Sequence, residues 1–162
     1  MMQRIDFTET DPNAFKAMLR LQACVNESGL EHSLLELVKM RASQINGCAY
    51  CIDMHSKDAR AQGETEQRLY LLNAWREAQS FYSDRERAAL AWTEAVTRLE
   101  GHVADSVYEA ARAQFTEKEL TNLTFAIVAI NGWNRLSIAF RAPPGAYQPA
   151  APQTPKAGAG QL

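Results

Sequence analysis

The chain has 162 residues, the size of one ordinary domain, and a 46% hydrophobic content that can supply its core. A 22% charged content and a formal net charge of -2 give no electrostatic bias toward nucleic acid or an anionic membrane surface. The opening "MMQRIDFTET" lacks the apolar core of a secretory signal, and the longest apolar run, "FAIVAI" from Phe125 to Ile130, is too short to span a bilayer. The expectation is a protein of the cytoplasm, acting without membrane or nucleic acid.

In chain order, the first landmark is proline. Pro12 is followed by a long proline-free stretch, and the other five prolines lie beyond residue 142. Such a stretch suits helices, because proline removes a backbone donor and crowds the preceding turn. A helix is expected near 12–26. Next, "EHSLLELVKMRASQI" places Leu34, Leu37, Val38 and Ile45 along one helical face, from which Arg41 departs. Gly47 then interrupts the pattern, as a helix C-terminus would. Helices near 48–62 and 65–79 follow. "SDRERAALAWTEAVTRL" opens with Ser83 and, three residues on, Glu86, the spacing of a capping box. After a helix near 104–115, Thr116 and Glu119 repeat the box at the head of "TEKELTNLTFAIVAINGWNRLSIAF". No sustained apolar/polar alternation marks a strand. The reading is an all-α domain of six or seven helices over residues 1–142, without internal repeat. Residues 143–162, rich in Pro, Ala and Gly, form a non-helical tail that is either a free end or a segment lying against a surface.

The chemistry-bearing residues cluster at Cys48, Cys51 and His55, spaced C-x-x-C-x-x-x-H. A helix advances about 100° per residue, so Cys51 lies about 60° and His55 about 20° from Cys48, on one stripe. A helix N-terminus lowers a thiol pKa, and a histidine four residues on can take the proton from Cys51. The second thiol is within reach to close a disulfide. Three readings stay open on the residues alone. One is a redox dithiol. Another is a zinc site, for which the spacing offers three ligands where a structural zinc takes four. The last is inert, buried thiols. The odd total of three cysteines argues against a purely structural disulfide framework.

Glu36 lies twelve residues before Cys48, among Leu34, Leu35, Leu37 and Val38. A carboxylate in such company needs a partner or a task. If the helix before Gly47 packs antiparallel to the next, Glu36 faces the far end of the Cys/His stripe. Otherwise it is a surface glutamate beside an arginine. Other residues attract plainer readings. His32 and His102 suit surface or cap positions, and Cys24 a packed or idle one. Trp75, Trp92 and Trp133 suit the core or a subunit contact. Arg135 suits helix-end charge balance or an interface pair. Lys57, Asp58 and Arg60 suit a solvated face.

Glu36, Cys48-Ala-Tyr-Cys51 and His55 together match E-x11-C-x-x-C-x-x-x-H, and this pattern resembles the alkylhydroperoxidase D (AhpD)-like proteins of the carboxymuconolactone decarboxylase superfamily. The string "ELVKMRASQINGCAYCIDMHSKDARAQGE" and the closing "AINGWNRLSIAFR" are similar to that family as well, and the likeness covers about residues 10–142. It implies an AhpD-like helical domain, one core copy per chain, and a thiol-dependent hydroperoxidase or disulfide reductase. It further implies that Cys51 becomes the sulfenic acid, that Cys48 donates a proton and then closes the disulfide, and that Glu36 and His55 relay protons. Helix-dipole reasoning alone favours Cys48 as nucleophile, whereas the histidine one turn on favours Cys51, and we side with Cys51. The resemblance implies no metal and no bound cofactor, only a peroxide substrate and an external dithiol reductant, a lipoyl group or lipoyl protein. It also implies a homo-oligomer, a hexamer built as a trimer of dimers. Tyr50 stands where the best-studied members carry a histidine. A phenol donates a hydrogen bond but is no base near neutral pH. Two other functions remain as alternatives: a carboxymuconolactone-type decarboxylase, which needs no dithiol and calls for an anion-binding arginine, and a non-catalytic zinc-binding or scaffold protein.

Overall fold

A computed structural model describes residues 2–149. Eight α-helices in these residues are α1 (Phe7–Thr10), α2 (Pro12–Asn26), α3 (His32–Asn46), α4 (Ala49–Ala61), α5 (Glu66–Leu71), α6 (Asp84–Arg98), α7 (Asp105–Arg112) and α8 (Glu117–Phe140). There is no strand among the described residues, so the fold is all-α, as expected. The count exceeds the expected six or seven by the single turn α1, whose N-cap Asp6 accepts from Thr8 N. The Phe7 ring docks this turn on Phe15 of α2 and Phe140 of α8. The helix expected over 65–79 is interrupted. After α5 the chain tightens into 3-10 turns at Leu72–Ala74 and Gln79–Phe81. Tertiary contacts override helical propensity there, because Leu72 and Trp75 are buried and Arg41 donates to Asn73 Oδ1 at 2.7 Å.

Local chemistry sets most helix ends. Both expected capping boxes are formed, at Ser83/Glu86 and Thr116/Glu119, so α6 and α8 start where they do. Gly47 ends α3 in the left-handed region with φ 69°, where a side chain would be strained. Cys48 N then reaches back to Ser43 O at 3.0 Å, satisfying a carbonyl that the helix end would otherwise orphan. This tight reversal leaves Cys48 as the N-cap of α4 and folds α4 back along α3.

Helix α3 is the axis of the molecule, packed against α4, α6 and α8. All ten residues from Leu34 to Ser43 are buried, the polar ones included. Leu35, Leu37 and Val38 are sealed completely or nearly so. Each such apolar side chain contributes about 1.5–3 kcal/mol of transfer free energy. Arg41, expected to depart from the apolar face, is buried because it has partners: its Nε donates to Glu94 Oε1 at 2.8 Å. Helix α8 is long and apolar enough to cross a membrane by length and composition, with a mean hydropathy of 1.2 over its best window. Here Leu123, Ile127 and Ile130 are instead buried in the core against its neighbours. Beyond α8, Ala142–Tyr147 run without helix and are tied to Lys57 of α4. The rest of the 143–162 tail, from residue 150 on, lies outside the described residues.

Candidate active site

Three elements bring the site together. The start of α4 carries Cys48, Cys51 and His55, the middle of α3 carries Glu36, and α8 contributes Asn134 and Ser137 from its buried face. The folding back of α4 at Gly47 places His55 Nδ1–H as a donor to Glu36 Oε2 at 2.8 Å. The other carboxylate oxygen, Oε1, accepts from Lys39 Nζ at 2.8 Å. Of the two readings of Glu36, the structure therefore has the one facing the Cys/His stripe. Burial alone would raise its carboxyl. The His55 hydrogen bond and charge, with Lys39 behind them, outweigh that and hold it at about 2, so Glu36 is a carboxylate throughout the neutral range. A carboxylate that takes the Nδ1 proton orients the ring and leaves Nε2 as the basic nitrogen.

Both sulfurs are buried, each with 1% exposure, but only Cys51 lines a cavity. Its Sγ lies 3.9 Å from Ser137 Oγ, as donor. Interaction with the Cys51 thiol, and then with the Cys51 backbone N–H, lowers Cys48 to about 7 against the cost of burial. The same interaction raises Cys51. Of the two, Cys48 at the helix N-terminus is the thiol that ionises more readily. This is the charge placement that helix-dipole reasoning favours, while the cavity wall belongs to Cys51.

The cavity has a volume of about 750 Å³. Glu36, Lys39, Cys51 and His55 lie in one wall, and Phe7, Phe15 and Trp133 supply an aromatic one. Tyr50 also lines it, and burial raises its phenol, so it is a hydrogen-bond donor there and not a base. His32, expected to be a plain surface or cap residue, and Trp133, expected in the core or a subunit contact, both border the cavity. Cys24 is exposed, not packed. Lys57 and Asp58 are not a freely solvated face, because both bind the chain beyond α8.

Sequence reasoning missed Lys39, Ser137, Asn134 and Tyr147. Lys39 was visible in principle, three residues after Glu36 on the same helix. Asn134 and Ser137 are also three apart and polar on a buried face, a pattern that marks either a hydrogen-bonded core or a site. Among the described residues, the donors close enough to share an ion are Glu36, His55 and Asp58, within 4.8 Å of one another. This set contains neither sulfur, so it does not build the zinc site that the C-x-x-C-x-x-x-H spacing left open.

Residues 12–95 match the model of the carboxymuconolactone decarboxylase family. YdfG of Bacillus subtilis (strain 168), an uncharacterized protein, is 44% identical over 140 residues, which are 86% of this chain and 95% of that one. The crystal structure of ATU0492 from Agrobacterium tumefaciens has 44% identity and a TM-score of 0.86, and the match covers 90% of this chain and all of that one. ATU0492 is a protein of unknown function, assigned provisionally to AhpD-type antioxidant defence. The AhpD core of a peroxidase-related protein from Ralstonia eutropha JMP134 has the same fold at 20% identity, with a TM-score of 0.75 over 86% of this chain and 74% of that one. Fold, motif and matched length agree, and the chain belongs to the carboxymuconolactone decarboxylase family as an AhpD-like member of that superfamily.

Proposed function

We propose that the protein is a thiol-dependent hydroperoxidase or disulfide reductase in which Cys51, Cys48, His55 and Glu36 carry the reaction. The observation that carries this reading is a single arrangement: Cys51 opens onto the cavity beside the His55–Glu36 dyad, with Cys48 as its neighbour. The Cys51 proton passes to Cys48 or to His55 Nε2, and the Cys51 thiolate attacks the distal peroxide oxygen. The O–O bond breaks, the alkoxide takes that same proton back from the group that received it, Cys48 or His55, and leaves as an alcohol, and Cys51 becomes a sulfenic acid. The Cys48 thiolate then attacks Cys51 Sγ, an S–S bond forms, and hydroxide leaves as water after protonation. An external dithiol reduces the disulfide and returns both thiols, and a lipoyl group is the donor to which the family resemblance points. The pair needs a reducing compartment, which fits a cytoplasmic setting. A homo-oligomer, a hexamer in the simplest case, fits the half-exposed Phe125 and Val128 on α8.

A carboxymuconolactone-type decarboxylase is the weaker reading. It calls for an arginine to bind an anionic substrate, and the described cavity wall holds none. The test is stopped-flow consumption of an organic hydroperoxide with thiol mapping. Cys51→Ser is expected to abolish turnover. Cys48→Ser is expected to consume one equivalent and stop at the sulfenic acid in the absence of added thiol. Wild-type rates in Cys51→Ser would reject the assignment of the nucleophile.

A further inference from the structure

Helix α4 carries more than the redox residues. Asp53, Lys57 and Asp58, the last of them also lining the cavity, grip the chain that follows α8. Lys57 Nζ donates to Gly145 O at 3.2 Å and to Tyr147 O at 3.0 Å. Gly145 N donates to Asp53 Oδ2 at 2.9 Å, and that same oxygen accepts from Lys57. The Tyr147 hydroxyl donates to Asp58 Oδ1 at 2.7 Å. So held, Ala142, Pro143, Ala146 and Tyr147 form a wall of the cavity that contains Cys51.

No residue from Ala142 to Tyr147 is buried. The wall is therefore held by hydrogen bonds at a wet surface and by very little apolar burial. Segments of that kind open at small free-energy cost, far below global unfolding. Pro143 and Pro144 stiffen the segment by fixing φ and restricting the residue before each. The size of the two co-substrates gives the movement a use. A peroxide is small against the cavity of about 750 Å³ as it stands, whereas a dithiol able to reduce Cys48–Cys51 must bring two sulfurs and their carrier to the same place. We propose that Ala142–Tyr147 is a strap that closes the active cavity to bulky molecules, and that Lys57 and Tyr147 set how often it opens. This rests on the reading above only in taking Cys51 as the reacting sulfur.

The test measures access and does not require turnover. In a Cys24→Ser background, which removes the exposed thiol, Cys51 is labelled with iodoacetamide and with the bulkier, also neutral, monobromobimane. The rate at Cys51 is followed by peptide mapping. Lys57→Met and Tyr147→Ala should each raise the bimane rate about tenfold, the change expected when an opening equilibrium loses one or two charge-assisted hydrogen bonds. Iodoacetamide should change less than about twofold, since a small reagent needs no opening. Circular dichroism of Lys57→Met should match the parent, because the substitution is on the helix surface. A bimane rate unchanged in both variants overturns the strap. So does an equal rise for both reagents, which would mean a changed thiol, and so does a rise in Tyr147→Ala alone, which would mean only a lost ring. Failure of the wild-type protein to consume peroxide would sink the peroxidase reading and leave these labelling rates as they are.

Discussion

Two buried carboxylates, Glu36 of α3 and Glu94 of α6, pair with side chains of the same stretch of α3, and their surroundings differ. Glu94 of α6 meets Arg41 from α3 at 2.7 Å, accepts from Trp75 Nε1 at 2.9 Å, and is bound by Arg76 at 2.8 Å. Every strong partner is a permanent donor. The groove beside it is lined by Arg76, Arg98 and His102, with no thiol in its wall. Glu36, five residues before Arg41, meets a lysine and a histidine and stands on a cavity with a sulfur in its wall. Both carboxyls are pushed up by burial and pulled down further by their partners, and both stay ionised. Burial and ion pairing therefore do not separate a structural cluster from a chemical one. What separates them is a partner that can titrate and an open face where a reactant can stand.

That contrast can be broken by exchanging the two lesions. Glu36→Gln should lower the rate of peroxide reduction by about 10²–10⁴-fold, the usual worth of positioned proton transfer, because His55 loses its orienting carboxylate. Single-turnover kinetics on folded protein would check it, and a rate within a few-fold of wild type would remove Glu36 from the relay. Glu94→Gln should do the opposite. It leaves Arg41 buried without its counter-charge, at a cost of about 3–5 kcal/mol, while the rate per folded molecule stays near wild type. Denaturant melts and the same kinetics measure both quantities. A large rate loss without a stability loss in Glu94→Gln would merge the two clusters into one functional unit.

The pH dependence sharpens the comparison. The Glu36 carboxyl titrates at about 2 in the folded state against an ordinary value of 4.5, so the unfolded chain takes up its proton first as the solution is acidified. Its contribution is fully present above about pH 4.5 and is lost as pH falls toward 2. Glu119, held at about 2 chiefly by the Thr116 backbone and hydroxyl, acts in the same window from the surface. The difference between wild-type and Glu36→Gln acid-unfolding curves isolates Glu36, and coincident curves below pH 4 would contradict the assignment. At the other end, Cys48 at about 7 depends first on the Cys51 thiol. In Cys51→Ala the thiolate absorbance near 240 nm should titrate closer to the ordinary value of 9.0, and an unchanged midpoint would place the stabilisation elsewhere. The smallest effect is expected at Tyr50. Restoring a base with Tyr50→His should raise the peroxide rate by about two- to tenfold, less than a primary general base contributes. A fall would show that the phenol itself holds the substrate.

Much of this is legible in the sequence, for local reasons. The capping boxes at Ser83 and Thr116, the stop at Gly47 and the common stripe of Cys48, Cys51 and His55 all follow from contacts three or four residues apart, which helical geometry dictates. The interrupted helix after Leu71 was not legible, because burial of Leu72 and Trp75 against distant residues decided it. Nor was the fate of Arg41, whose partner Glu94 lies 53 residues away.

The amino-acid order by itself determined an all-α chain, its helix ends and a paired thiol with a histidine on one face, because each depends on neighbours along the backbone. Only the packed structure decided that Glu36 grips that histidine, that Cys51 and not Cys48 opens onto a cavity, and that the chain beyond α8 returns to wall it. Those contacts join segments that no helical period links, and the burial of α3 by three other helices is what selects them.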